Sequence, residues 1–150
     1  MRVFRFAQFS TLLCACLIAC QPKPDTGSAV SPQDPFLDSL SRDTFFYFWD
    51  LANSNNGLVP DRWPTPSFSS IAATGFGLTA YLVGIERGYV TREQAAERVL
   101  TSLRFFQSAP QGQAETGVTG YHGFFYHFLD MQTGLRFQQV ELSTIDTGLL

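Results

Sequence analysis

Ser69-Ser70-Ile71-Ala72-Ala73-Thr74-Gly75-Phe76-Gly77-Leu78-Thr79-Ala80-Tyr81-Leu82-Val83-Gly84-Ile85 contains no charged residue, and Glu86, Arg87 and Gly88 close it. Either serine supplies a hydroxyl for the free amides of a helix start, and Gly88 supplies the residue that ends a helix. A helix apolar on every side is expected to be buried on every side. Ala72, Ala73, Gly75, Gly77, Ala80 and Gly84 carry little bulk, so neighbours can pack close against it.

The flanking segments are more polar. Thr91 with Gln94 three residues on forms a capping box for a following helix, in which Ala96, Val99, Leu100, Leu103 and Phe106 make an apolar stripe. Arg92, Glu93, Glu97 and Arg104 point away from that stripe, so this helix keeps a solvated face and stops before Pro110 and Gly112. On the other side, Asp34-Pro35 starts a first amphipathic helix with Phe36, Leu40, Thr44, Phe48 and Leu51 at helical spacing, up to the Asn-rich run ending at Gly57. Pro60, Pro64 and Pro66 then stiffen a loop that holds Asp61, Arg62 and Trp63.

Residues 117–137 are dense in aromatics and carry a turn at Gln132-Thr133-Gly134, which favours an extended, hairpin-like excursion. Ser143, with Asp146 three residues later, caps a fourth helix whose start is again nearly free of charge. A buried helix followed by a half-exposed one suits an inner and an outer layer of helices, a two-layered barrel. A small bundle with one central helix fits those two helices equally well.

Arg2 and Arg5 precede an apolar run over residues 6–19 that leads into Cys20, the pattern of an export signal too short to serve as a lasting membrane span. Leu17-Ile18-Ala19-Cys20 resembles a bacterial lipobox, so residues 1–19 are expected to be removed and Cys20 acylated. The alternative is an ordinary secretory signal with an incidental cysteine. Residues 20–33 read as a flexible tether and residues 34–150 as the folded part. The expected location is therefore outside the cytoplasm, on the periplasmic or outer face of a bacterial membrane. Cys14, Cys16 and Cys20 are all the cysteines, which leaves no disulfide or cysteine metal site in the mature chain. The net charge of −3 argues against a nucleic-acid partner. Fifteen phenylalanines call for a large core or an aromatic-lined cleft.

Polar residues gather just before the two nearly charge-free helices. If those helices run parallel, Asp61, Arg62, Trp63, Asp130, Glu141 and Asp146 converge on one rim, where helix starts add positive potential. Asp146 in a first helical turn is expected to stay ionised and would suit a base, or it serves only the cap. Glu141, between Val140 and Leu142, is expected to hold its proton more readily and would suit a general acid, or it is a surface glutamate. Paired carboxylates are the minimum equipment for glycosidic cleavage. Tyr121, Tyr126 and Trp63 either stack on sugar rings or pack internally. Arg62 either bonds substrate hydroxyls or forms a structural ion pair. His122 and His127 lack companions for a metal site, and a tethering hydrogen bond suits them better. Asp130 either faces substrate or starts the following turn. The chain has no Gly-x-Ser-x-Gly elbow, phosphate loop or His-Glu-x-x-His motif.

Asp43-Thr44-Phe45-Phe46-Tyr47-Phe48-Trp49-Asp50, Asn56-Gly57-Leu58-Val59-Pro60-Asp61-Arg62 and Ser70-Ile71-Ala72-Ala73-Thr74-Gly75-Phe76-Gly77-Leu78 closely resemble the start of bacterial glucoamylase-like proteins. So do Gly123-Phe124-Phe125-Tyr126-His127-Phe128-Leu129-Asp130 and Glu141-Leu142-Ser143-Thr144-Ile145-Asp146-Thr147. That family includes endo-β-1,2-glucanases and domains associated with cyclic β-1,2-glucan synthases. The resemblance implies an all-α fold, the N-terminal part of an (α/α)6 toroid, hydrolysing a β-glucan at one rim as a monomer without metal or organic cofactor. It implies that the acidic block Glu141 to Asp146 and the Asp61-Arg62-Trp63 loop line the cleft at that rim, and within the block Glu141 and Asp146 are the expected catalytic acids. With that loop's Asp61, Arg62 and Trp63, the residue reading adds Tyr121, Tyr126, His127 and Asp130 as expected substrate contacts. Such a toroid needs about twelve helices and the sequence reaches the fourth, so a fragment or a truncated gene product is expected. A part-toroid would leave the charge-free helix with an exposed apolar patch. A glycan-binding surface lipoprotein without turnover, and an inert truncated product, are the alternative readings.

Overall fold

A computed structural model describes residues 34–150. The signal, the tether and Cys20 lie outside the described residues. Helix α1 (Pro35–Leu51) starts where the sequence indicates, with the Asp34 carboxylate accepting from Phe36 N at 2.9 Å and Pro35 in the first turn. It stops at the Asn-rich run because those side chains bond elsewhere: Asn53 and Asn56 both donate to the Met131 carbonyl, at 2.7 and 3.2 Å. That ties the end of α1 to the distant turn after residue 130.

Strand β1 (Ser69–Ser70) leads directly into α2 (Ile71–Glu86), capped by Ser70. Thr74 fastens this start, since its hydroxyl donates to the Ser70 carbonyl at 3.1 Å and accepts from Val59 N at 3.1 Å. The small residues of α2 do what their size allows. A Cβ on Gly84 would stand 2.2 Å from the Phe45 ring of α1, and one on Gly75 would stand 2.1 Å from the Leu149 carbonyl. The expectation of burial on every side requires correction. Ile71, Thr74, Gly75, Gly77, Tyr81 and Gly84 are buried, whereas Phe76, Leu82 and Val83 are exposed. Among the described residues α2 is covered by α1, α3 and α4, and its other face lies open, as a part-toroid would leave it.

Helix α3 (Arg92–Ser108) has the full capping box, Gln94 N to Thr91 Oγ1 at 3.2 Å and Thr91 N to Gln94 Oε1 at 2.8 Å. Its inward face matches the apolar stripe in part, since Val99 and Phe106 pack against the core. Ala95 and Ser102 are buried, while Ala96, Leu100 and Leu103 are exposed. Arg98 causes the rotation: its guanidinium lies over the Trp49 ring, 4.5 Å from the centroid, and donates to the Trp49 carbonyl at 3.1 Å. A long side chain that satisfies a helix-end carbonyl and covers an aromatic face is favoured inside.

Four further strands form two small ribbons: β2 (Gly120–Tyr121), β3 (Phe124–Tyr126), β4 (Phe128–Leu129) and β5 (Leu142–Ser143). Strands β2 and β3 make a hairpin whose tight turn is His122-Gly123, both at positive φ (51° and 84°). The Gln132-Thr133-Gly134 turn is a second, separate reversal, closed by Gly134 N donating to the Asp130 carbonyl at 2.8 Å. Strand β3 also pairs antiparallel with β5, which runs into α4 (Thr144–Leu149), while β4 pairs antiparallel with β1, which runs into α2. One continuous segment therefore sets the starts of α2 and α4 side by side. The core has two parts. Phe45, Tyr81 and Ala95 lie between α1, α2 and α3, and Leu58, Ile71, Val118, Tyr126 and Leu129 lie under the ribbons.

Candidate active site

His127 stands between β3 and β4, where the two ribbons meet. Its amide donates to the Glu141 carbonyl at 3.0 Å and its carbonyl accepts from Ile71 N at 3.2 Å. The side chain is held as firmly. Nδ1 is 2.7 Å from Glu141 Oε1, Nε2 is 3.4 Å from Asp146 Oδ2, and the ring stacks on Phe128 with centroids 3.8 Å apart. The sequence reading brought Glu141 and Asp146 to one rim, and the structure sets His127 between them.

Asp146 occupies the first turn of α4, with its amide donating to Ser143 Oγ at 3.1 Å while its carboxylate turns to His127. Its side chain is 17% exposed, against 67% for Glu141. The expectation that Glu141 sits in apolar surroundings and holds its proton is corrected here. Its carboxylate faces solvent, and a bond from its own backbone amide, then the His127 contact, draw its pKa below the usual glutamate value. Val140 and Leu142 turn to the core and leave the intervening side chain outside.

Along the rim the aromatics continue from His127. Phe128 is 4.3 Å from Phe68 between centroids, Phe68 is 4.7 Å from Phe137, and the Arg62 guanidinium lies 5.3 Å from the Phe68 centroid. Here lies an open cleft of about 470 Å³, walled by Arg62, Ser67, Phe68, Asp130, Met131 and Phe137. Arg62 pairs with Asp61 at 3.2 Å, yet its side chain stays 60% exposed and available to the cleft. The loop that carries both is braced by Tyr47, whose hydroxyl donates to the Pro60 carbonyl at 2.6 Å. Burial, then the Asp61 charge, raises the Tyr47 pKa.

The remaining sequence candidates divide. Trp63, in the same loop, is exposed. Asp130 starts the turn: its Oδ1 accepts from Gln132 N, Thr133 N and Thr133 Oγ1 at 3.0, 2.8 and 2.9 Å. The Thr133 amide contributes most to lowering its pKa. Tyr121 sits on the hairpin tip, bonded to Gln113. Tyr126 is corrected as a sugar platform, because it is 8% exposed and lies in the core with the Arg136 guanidinium 4.2 Å from its ring centroid. Phe68 and Phe137 were missed. The signal available for Phe68 was an aromatic within an otherwise polar, proline-rich loop.

No family model matches the chain. An exo β-1,2-glucooligosaccharide sophorohydrolase (non-reducing end) of Parabacteroides distasonis is 33% identical over 102 residues, 67% of this chain and 13% of that protein. The solved structure of a candidate glucoamylase from Bacteroides uniformis has a TM-score of 0.62 and 34% identity over 75% of this chain and 27% of that one. The endo-β-1,2-glucanase of Chitinophaga pinensis, solved with sophorotriose and glucose, has a TM-score of 0.52 and 32% identity over 65% of this chain and 23% of that one. The fold is thus part of an (α/α)6 toroid. The chain is related to the glucoamylase-like proteins and spans 13% of the curated relative's length.

Proposed function

We propose that this chain carries one side of the active cleft of a glycoside hydrolase acting on β-glucan, with β-1,2-linked glucan as the substrate. The observation that carries the reading is the Glu141–His127–Asp146 cluster beside the aromatic run of Phe128, Phe68 and Phe137. Two carboxyl groups meet the need for one group to activate water and one to protonate the leaving oxygen. Asp146, the less exposed carboxylate, suits the base. Glu141, open to solvent and with its pKa lowered, becomes a proton donor only when bound sugar displaces the water around it. The β-1,2 linkage is supported by the named activities of the sophorohydrolase and the endo-glucanase.

Sugar release from linear β-1,2-glucan by the product of the whole reading frame tests this. Glu141→Gln and Asp146→Asn are each expected to lower kcat by about 100-fold or more, and undiminished release by both variants refutes the roles. Glu141's exposure and lowered pKa favour a second reading, a glycan-binding protein without turnover. Binding of the glucan without any release by the parent protein would select it. We also propose that the protein is a monomer held to a membrane, outside the cytoplasm, by lipid on Cys20, a reading supported by Leu17-Ile18-Ala19-Cys20. Mass spectrometry of the mature N-terminus tests the anchor, and an unmodified terminus other than Cys20 would refute it.

A further inference from the structure

We propose that His127 acts as a positioning residue, holding Glu141 and Asp146 in one geometry, and not as a contact for sugar. The role in catalysis rests on the hydrolase reading above; the linkage itself does not.

Nδ1 is hydrogen-bonded to Glu141 at 2.7 Å, Nε2 stands 3.4 Å from Asp146 Oδ2, and one ring face is covered by Phe128. The backbone is fixed on both sides by Glu141 and Ile71. One ring face and the Nδ1 edge are thus taken up inside the protein, while 30% of the side chain stays exposed. The ring stands between the two acids, and removing it releases both from this geometry. Glu141 loses more, because it lies at the surface with the ring as its side-chain partner, whereas Asp146 is also held by the turn it opens. His127 spans the starts of α2 and α4 through its backbone as well, so it sets the acids relative to both inner helices.

Two measurements on the complete protein test this. In the first, with 15N-labelled histidine, Glu141→Gln is expected to move the Nδ1 resonance of His127 and Asp146→Asn its Nε2 resonance, with those of His122 unchanged. Resonances of His127 that ignore both substitutions overturn the proposal whatever the activity. In the second, kinetics on β-1,2-glucan compare His127→Phe, which keeps the stack on Phe128 and loses both nitrogens, with His127→Gln, which returns one polar group. The Phe variant is expected to lose about 100-fold or more in kcat with KM within about 3-fold, and the Gln variant to regain about 10-fold. A raised KM with unchanged kcat makes His127 a sugar contact and overturns the proposal. A wild-type protein silent on glucan whose His127 resonances follow both substitutions supports the linkage and overturns the hydrolase reading alone.

Discussion

Replacing Gly84 by alanine tests how tightly α2 is held against α1. The new methyl would stand 2.2, 2.6 and 2.9 Å from Cε2, Cζ and Cδ2 of Phe45, well inside van der Waals contact. Ring ends elsewhere can swing aside, but Phe45 is 2% exposed and boxed in. Phe46 meets it edge-on with centroids 5.1 Å apart, Trp49 stacks on it at 5.8 Å, and Tyr89 packs at 5.3 Å. Overpacking of this kind costs about 1–3 kcal/mol. Alanine's better helix propensity returns about 1 kcal/mol. The boxed-in ring places the cost in the upper part of that range, about 2–3 kcal/mol, so the net expectation is a loss of about 1–2 kcal/mol. Denaturant unfolding followed by circular dichroism measures it, with Gly148→Ala as the control, since nothing lies within 4 Å of a Cβ there. The control is expected to be neutral or to gain up to about 1 kcal/mol. A second variant separates packing from propensity: with Phe45→Leu in the background the clash is relieved, and Gly84→Ala becomes neutral or stabilising. The two substitutions then couple by about 1 kcal/mol or more. A Gly84→Ala protein as stable as the parent, or more so, would refute the close-packing argument.

Two further outcomes follow from local geometry. Thr91→Ala removes one half of the reciprocal cap of α3 and is expected to cost about 1 kcal/mol by the same unfolding measurement; no loss would mean that α3 is held by packing alone. Asp130 has its folded pKa below the unfolded one, so its contribution to stability is present above the unfolded value, about 4, and is lost as pH falls through the folded value. The stability difference between wild type and Asp130→Ala should therefore be full at neutral pH and shrink on acidification, and a difference that grows on acidification would contradict the assigned turn bonds.

What the sequence revealed was mostly what is local. The caps at Asp34, Ser70, Thr91 and Ser143 depend on neighbours within three residues, and all four stand where their side chains indicate. The resemblance supplied the architecture, the toroid part, ahead of any coordinates. Non-local partners decided the rest. The inward face of α3 turns on Arg98 finding Trp49, a partner 49 positions away, which an apolar stripe cannot register. Tyr126 was read by residue type, and its place in the core follows from β3 pairing with β5. Glu141 was read from Val140 and Leu142, but alternation along an extended segment sends it the other way. The tethering role expected of His127 was legible in kind; its two partners were not.

The pairing of Ser70 with Phe128 has a consequence in time. A chain made in one direction presents the start of α2 roughly sixty residues before the strand that pins it, which at ordinary synthesis rates is a wait of several seconds. Helices α1, α2 and α3 can gather around Phe45 and Tyr81 in that interval, since their contacts lie within the part already made. The rim cannot. Among the described residues it is finished last, when one short ribbon arrives and closes over the starts of both inner helices. A delay in that stretch of synthesis, or a slow hairpin at His122-Gly123, would leave a chain with an ordered helical core and an unmade cleft.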